Sequence, residues 1–462
     1  MDIKKGDILE LKVEKLVYGG RGLAYMNEMA IFVEQAIPGD IAEARIFRVK
    51  KNYAEARFLR VIEPSPHRII APCPYSGYCG GCKWQFIEYG KQLEYKRLFV
   101  EELLYHIGKT ENFQVHSTIP SFKEFGYRNK MEFSFSEKRW LLPEEKQEGV
   151  ENNDIALGLH VPGTFNKVID IEGCLLQSEM GNDILQAVKK YVKNSKIPVY
   201  GLKSHQGFWR YLMLRHSYCF NEWMVNIVTN RQRDDIIKDM ALSLKNRFKE
   251  ISSVVNNVNT RKGGTAFGEM EKLILGTRTI KDKIGPFVFE ISANSFFQTN
   301  TPTAEKLYQK VKNFSHLTGK ETVLSLYCGT GTDSIFLAPD ASRVIGIDIS
   351  ESAIVNAKRN CDLNSIDNCE FLCGDVKTLL SQIDTHIDLL VTDPPRAGMH
   401  KKVIEQILIM LPEKIIYISC NPATLARDVA LLLDKYRVKE VIPVDLFPHT
   451  YHIESVVRLE KV

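Results

Sequence analysis

A cysteine stands at the end of the apolar run KIIYIS, inside the stretch YISCNPATLARD at residues 417–428, where the chain turns into Asn-Pro. A thiol there can be a small residue filling a tight strand end, the usual role of a free cysteine, or a nucleophile facing a substrate. Another strand candidate, LLVTDPPRAGM at 389–399, ends in Asp393 followed by two prolines that stiffen the rim of the sheet. Ligands of open α/β sheets bind at the carboxyl ends of the strands. Cys420 and Asp393 are therefore expected to be neighbours.

Two further strand ends read as a binding pocket. In VLSLYCGTGTDSIFLA, residues 323–338, a strand runs into a turn with Gly329 and Gly331 and then into a helix. The glycines let backbone approach a ligand, and the helix N-terminus favours polar or anionic groups. Nineteen residues after Gly329, Asp348 ends the next strand candidate, VIGID, where a carboxylate can accept two hydrogen bonds from a ribose diol. The turn lacks the third glycine of G-x-G-x-x-G, which speaks against a nicotinamide dinucleotide.

A separate chemistry is written in CPYSGYCGGCKWQ, where Cys73, Cys79 and Cys82 are spaced C-x5-C-x2-C, with Cys174 in DIEGCLLQ as a fourth candidate. Four thiolates can hold zinc or a [4Fe-4S] cluster, and the spacing favours neither. Cys219, Cys328, Cys361, Cys369 and Cys373 are expected to be packing residues.

The elements that must position these groups fall into three segments. Residues 1–62 alternate short β-rich stretches with glycine turns, which predicts a small β-barrel. Between Arg45 and Arg60 six cations (Arg45, Arg48, Lys50, Lys51, Arg57, Arg60) face one acid, Glu55, with Phe47, Tyr53 and Phe58 interleaved. That mixture suits RNA, although a solvated strand face has the same composition. Residues 63–290 begin with a Pro-rich linker and the cysteines. A helical pattern at about 86–107 follows, placed to pack on the last segment, and then a mixed α+β region. From 291 to 462, strand candidates TVLSLY, RVIGID, CEFLCG, IDLLVTD and IIYISC alternate with helical stretches, which predicts a Rossmann-like, mostly parallel α/β sheet.

The 462 residues are 44% hydrophobic and 26% charged, with a formal charge of only +4, so nucleic-acid binding cannot rest on total charge. The N-terminal stretch has no apolar signal-peptide core and no run is long enough to span a bilayer. A cytoplasmic location without a membrane partner is expected, and the ten cysteines then read as thiols or ligands, not disulfides.

Five separated motifs, SFFQTN (295–300), LYCGTGT (326–332), DPPRAG (393–398), ISCNPATLARD (418–428) and DLFPHTYHIESVVRLEK (445–461), make the chain resemble the bacterial uracil-C5 RNA methyltransferases that use S-adenosylmethionine. The barrel resembles the TRAM domain of the 23S rRNA branch, whereas the tRNA uracil-54 branch typically lacks both barrel and cysteine cluster. The resemblance implies Cys420 as nucleophile and Glu454 as general base, with His449 and His452 as titratable neighbours. It implies Gln298, Tyr327, Thr332, Asp348, Asp375 and Asp393 as S-adenosylmethionine contacts. Tyr327 stands where many relatives carry Phe, Thr332 where they often carry Asn, and Asp348 where Glu is usual.

The resemblance also implies a [4Fe-4S] cluster on Cys73, Cys79, Cys82 and Cys174. Radical enzymes use C-x3-C-x2-C, so cleavage of S-adenosylmethionine by this cluster is not expected. The expected partner is RNA, 23S rRNA first, and the expected state a monomer. Alternatives are a tRNA uracil-54 enzyme, a non-catalytic RNA-binding Fe-S protein, and an amino-methyltransferase. The last uses [DN]PP followed by an aromatic, where this chain has Arg396.

Overall fold

A computed structural model describes residues 3–152 and 154–462. The first five strands, β1 (Ile8–Val17), β2 (Arg21–Met26), β3 (Met29–Val33), β4 (Ile41–Val49) and β5 (Tyr53–Glu63), close into a barrel in the order β1-β2-β3-β5-β4. Alternation sends Ala24, Ala42, Ala44, Ala54 and Ala56 inward, all fully buried beside Leu11, Val13 and Ile31. Small inner side chains let so few strands close without a void. Arg45, Arg48, Arg57 and Arg60 of β4 and β5, with Lys50 and Lys51 of the turn between them, stay exposed and partly paired: Glu55 takes Arg21 and Arg48, and Glu43 takes Arg60.

The chain then runs through an irregular cysteine-bearing loop into α1 (Tyr89–His106) and a short β6 (Gln114–Val115). A seven-stranded sheet follows, in the order β13-β12-β11-β10-β7-β8-β9. It is built from β7 (Lys130–Ser136), β8 (Ala156–His160), β9 (Val168–Asp170), β10 (Trp209–His216), β11 (Trp223–Thr229), β12 (Ile251–Val258) and β13 (Met270–Gly276). A short α2 (Pro143–Gln147) lies in the connection after β7, and α3 (Glu179–Ser195) and α4 (Asp234–Arg247) cover one face of the sheet through Ile184, Leu185, Val188, Ile237 and Met240. A hairpin of β14 (Thr279–Ile284) and β15 (Phe287–Ser292) leads into α5 (Thr301–Ser315).

The last sheet is eight-stranded: β16 (Thr322–Leu326), β17 (Arg343–Asp348), β18 (Cys369–Cys373), β19 (Leu389–Thr392), β20 (Lys414–Ser419), β21 (Tyr436–Val444) and β22 (Glu454–Lys461), together with β6 at one edge. The order β18-β17-β16-β19-β20-β22-β21-β6 is parallel through β20, and β22 runs antiparallel between β20 and β21. Strands such as Ile415–Ile418 are apolar without interruption because both faces are covered. Ile416 and Ile418 pack in one core layer and Ile415 and Tyr417 in the other. The helices α6 (Thr332–Leu337), α7 (Glu351–Leu363), α8 (Val376–Leu379), α9 (Lys401–Met410) and α10 (Pro422–Leu432) make the crossovers.

Packing units and chain segments do not coincide. Val100 and Leu104 of α1 belong to the same core as Leu425 and Val429 of α10, and β6 hydrogen-bonds to β21. Backbone N–H groups of the β14–β15 hairpin, at Val288 and Glu290, donate to the side-chain oxygens of Asn364, just after α7, and Asn360 within it. The mixed segment therefore supplies a helix, an edge strand and a hairpin to the methyltransferase sheet.

Candidate active site

Reversal of strand order between β16 and β19 opens a crevice at the carboxyl edge. Gly329 and Gly331 turn there with φ of 53° and 78°, and a Cβ on Gly331 would lie 3.0 Å from Ala357 and Phe371. Tyr327 also adopts a left-handed φ, 60°, a conformation costly for a residue with a side chain. Asp348 at the end of β17 accepts Gly329 N at 2.9 Å and Ser350 N at 2.8 Å, leaving a lone pair on each oxygen. Asp375 caps α8, accepting Lys377 N at 2.9 Å, and this bond lowers its carboxyl from the ordinary value. Thr332 opens α6 and is buried. Gln298, 5% exposed, hydrogen-bonds the Tyr308 phenol, whose surroundings include Asp393 and Glu454.

Asp393 ends β19, Cys420 ends β20 and Glu454 begins the adjacent β22. Topology thus brings all three to one edge, close enough for their charges to act on one another. Burial pushes the Cys420 thiol up to about 11, with Glu454 and Asp393 adding to the effect and Arg396 opposing it. Burial raises Glu454 well above the usual carboxylate range, again with Asp393 adding and Arg396 opposing. Asp393 is raised to about 7 by burial and by the buried Asp333, itself hydrogen-bonded by Ser325. Asp393 is thus held near neutrality, and Glu454 is shifted upward, the direction that suits a carboxylate to general-base work.

Other charged and titratable residues of the same C-terminal segment have contacts of their own. Arg458 pairs with Glu440 and Glu460. His449 is 3% exposed, stacked on Phe125 at 4.2 Å, and receives Gln92 Nε2 at 3.3 Å from its Nδ1. Burial lowers both His449 and His452 to about 4, with Lys96 opposing protonation of the first and Arg396 of the second.

The DPPRAG and SCNPATLARD segments are one device. Asn421 Nδ2 and Thr424 Oγ1 donate to Arg396 O at 2.9 and 3.2 Å, and Arg427 Nη2 donates to Ala397 O at 2.9 Å. Buried Asp428 accepts Met399 N and the Tyr417 hydroxyl, both at 2.7 Å. At Gly398, φ 77°, a Cβ would stand 2.5 Å from Arg427 Nη2, so only glycine lets the clamp close. The loop bearing Arg396 is thereby fixed beside Cys420. Sequence reasoning missed Asp333 and gave Arg396 no role in the site, although it stands inside a quoted motif.

The four cluster candidates line one cavity of about 270 Å³, together with Arg128 and Gln85. Each thiol is raised by burial, Cys79 to about 11 and Cys82 to about 12. Among the described residues no group of three or more His, Cys, Asp or Glu side chains is arranged to hold a metal ion. Four thiols lining one cavity are a donor set that either a zinc ion or an iron–sulfur cluster takes. Of the cysteines expected to be packing residues, Cys328 and Cys361 are buried, but Cys219 and Cys373 are exposed. Both lie at loop or edge positions with no core above them.

The fold and the sheet edge define a Rossmann-like methyltransferase preceded by a small barrel. The sequence profile of the tRNA (Uracil-5-)-methyltransferase family matches residues 88–462, and that of the TRAM domain residues 3–59. The chain belongs to this family of S-adenosylmethionine-dependent RNA uracil-C5 methyltransferases. An uncharacterized RNA methyltransferase of Bacteroides thetaiotaomicron is 40% identical over 96% of this chain and 99% of its own. One of Chlorobaculum tepidum is 39% identical over 99% and 97%. The crystal structure of Pyrococcus abyssi tRNA (uracil-54, C5)-methyltransferase with S-adenosyl-L-homocysteine superposes with a TM-score of 0.77 and 29% identity, over 98% of this chain and all of that one. A tRNA uracil-54 enzyme is thus similar along the barrel as well. The barrel does not separate the rRNA branch from the tRNA branch, contrary to expectation. Among the described residues no helix is long and apolar enough to cross a membrane.

Proposed function

We propose that the protein methylates C5 of a uridine in folded RNA, 23S rRNA, as a cytoplasmic monomer, through covalent addition of Cys420 to uracil C6. The observation that carries this reading is the meeting of Cys420, Asp393 and Glu454 at one sheet edge beside Arg396. Bound S-adenosylmethionine supplies an electrophilic methyl group. Gln298, Tyr327, Thr332, Asp348, Asp375 and Asp393 hold it along the crevice, the carboxylates suiting a ribose diol and a cationic sulfur.

Uracil C5 is a weak nucleophile until C6 carries a donor. Cys420 loses its thiol proton to solvent as the Sγ–C6 bond forms, and the electron pair of the C5–C6 bond becomes an enolate. C5 then takes the methyl group as the methyl–sulfur bond of the sulfonium breaks, its electron pair staying on sulfur and S-adenosylhomocysteine leaving. Glu454 removes the C5 proton, the C5–C6 double bond returns, and the Sγ–C6 bond breaks to release the thiolate. Arg396 offsets negative charge throughout, as its opposing effect on Cys420 and Glu454 indicates.

In the same reading Cys73, Cys79, Cys82 and Cys174 carry a [4Fe-4S] cluster that stiffens the loop after the barrel. Anaerobically purified protein should be brown, with about four irons per chain; colourless protein with stoichiometric zinc would overturn this. The target is tested by mapping 5-methyluridine in rRNA and tRNA from cells with and without the gene. Loss at a 23S uridine is expected. The Pyrococcus abyssi likeness favours a second reading, tRNA uridine 54, and loss at that position alone would establish it in place of the first.

A further inference from the structure

The turn between β1 and β2 leaves the barrel and reaches the catalytic edge. Tyr18 meets Tyr451 edge-on at 5.9 Å and Phe99 of α1 at 6.0 Å. Gly20 (φ 81°) has no room for a side chain: a Cβ would stand 3.0 Å from Trp84 Nε1 and 3.1 Å from the Tyr451 ring. The turn is therefore seated on α1, on the segment just after Cys82, and on the loop that delivers Glu454. The Tyr18 hydroxyl lies within electrostatic reach of Cys420, Arg396 and Glu454, and burial above all pushes it up to about 12. Tyr451 leans on His452, ring centroids 4.3 Å apart. Tyr18, Tyr451, His452 and Cys420 are half-buried and Arg396 is exposed, whereas Glu454 lies beneath them at 5% exposure. Aromatic rings from two parts of the chain thus lie beside Cys420, Arg396 and Glu454.

A uracil within folded RNA reaches a thiol only by leaving its stack, and this exposes the bases beside it. We propose that Tyr18 is a substrate-contacting residue whose ring, held edge-on by that of Tyr451, offers a stacking face at the mouth of the Cys420 site to a nucleobase next to the target uridine. The proposal rests on the RNA methyltransferase reading above. A simpler role, wedging the barrel onto the catalytic body, is already filled by the buried junction of Leu16, Ile37, Trp84, Ile87 and Phe99. Tyr18 stands at the rim of that junction, turned toward the charges of the site. Stacking accepts any base face, so Tyr18 serves engagement of RNA and not choice of sequence. The barrel is then part of the catalytic opening as well as an outer binding surface.

The test uses full-length Tyr18→Ala, Tyr18→Leu and Tyr18→Phe with an RNA oligonucleotide spanning the target uridine, intact or abasic at one flanking position. Tyr18→Leu keeps an apolar wedge but removes the ring. Loss of one stacked base predicts a fall of about 5- to 150-fold in kcat/KM for RNA in the Ala and Leu variants. Affinity for S-adenosylmethionine should stay unchanged and Tyr18→Phe should match wild type. On RNA abasic at the stacking position, Leu variant and wild type should become equal. A Leu variant with wild-type kcat/KM on intact RNA would overturn the proposal, as would a penalty that persists at both abasic positions. Wild-type enzyme that methylates no RNA would overturn the functional reading itself, a result distinct from either.

Discussion

The sheet edge that bears Cys420 and the cavity lined by four cysteines hold their thiols by opposite means. At the edge, Asp393 and Cys420 each follow directly on a strand and Glu454 opens another in the same sheet, so the pairing of β19, β20 and β22 sets where they stand. Around the cavity, three cysteines lie on a loop without regular structure and the fourth arrives from beyond β9. Side chains close that site: Gln85 Oε1 receives Cys73 N at 3.2 Å and Asn182 Oδ1 receives Cys174 N at 2.8 Å. The first arrangement is rigid before any ligand comes. The second depends on what binds the thiols, since metal binding to such sites is coupled to folding.

That contrast can be broken experimentally. Cys420→Ala should lower methyl transfer by about 10⁴-fold or more while S-adenosylmethionine affinity, measured by calorimetry, stays near wild type; substantial residual turnover would end the covalent mechanism. Glu454→Gln should slow release by about 10²–10⁴-fold and leave a methylated protein–RNA adduct visible by denaturing electrophoresis and mass spectrometry. Normal turnover without adduct would move the base elsewhere. Cys174→Ser should lose most bound iron and lower Tm yet retain S-adenosylmethionine binding, because Cys174 is not among the residues proposed to hold the cofactor. Full iron retention would remove Cys174 from the ligand set.

The smallest effect separates charge from geometry at the edge. Asp393 binds its proton more tightly in the folded chain than in the unfolded one, so its contribution to stability is present below about pH 4 and is lost as pH rises through about 7. Asp393→Asn should therefore raise Tm at pH 8 by about 2 °C or more, and the gain should vanish toward pH 4 in a differential scanning series. A gain independent of pH would mean that the carboxyl is not held near neutrality.

Strand-borne chemistry was legible in the sequence because parallel strands announce themselves as continuous apolar runs and their carboxyl ends share one edge. Cys420, Asp393 and Asp348 needed only that rule. Glu454 needed a resemblance, because β22 is antiparallel and presents its first residue, not its last, to the site. Asp333 lies in the first turn of α6 beneath the glycine loop, where an acid reads as an ordinary helix-start residue. Tyr18 was unreadable for another reason: no pattern within β1 tells which distant loop its turn will meet. The exposed Cys219 and Cys373 show that composition alone does not place a thiol inside.

The ion pair between Lys96 of α1 and Asp445 at the end of β21, 2.6 Å apart with both side chains fully buried, limits how the gene can be divided. A fragment starting at 291 would keep every residue proposed for methyl transfer, yet strip Asp445 of its Lys96 partner and uncover the core that Val100 and Leu104 of α1 fill. It would also uncover β21 by removing β6. The methyltransferase half is consequently not a portable module: fusions, truncations and domain exchanges in this architecture have to carry the helix at 89–106 with them.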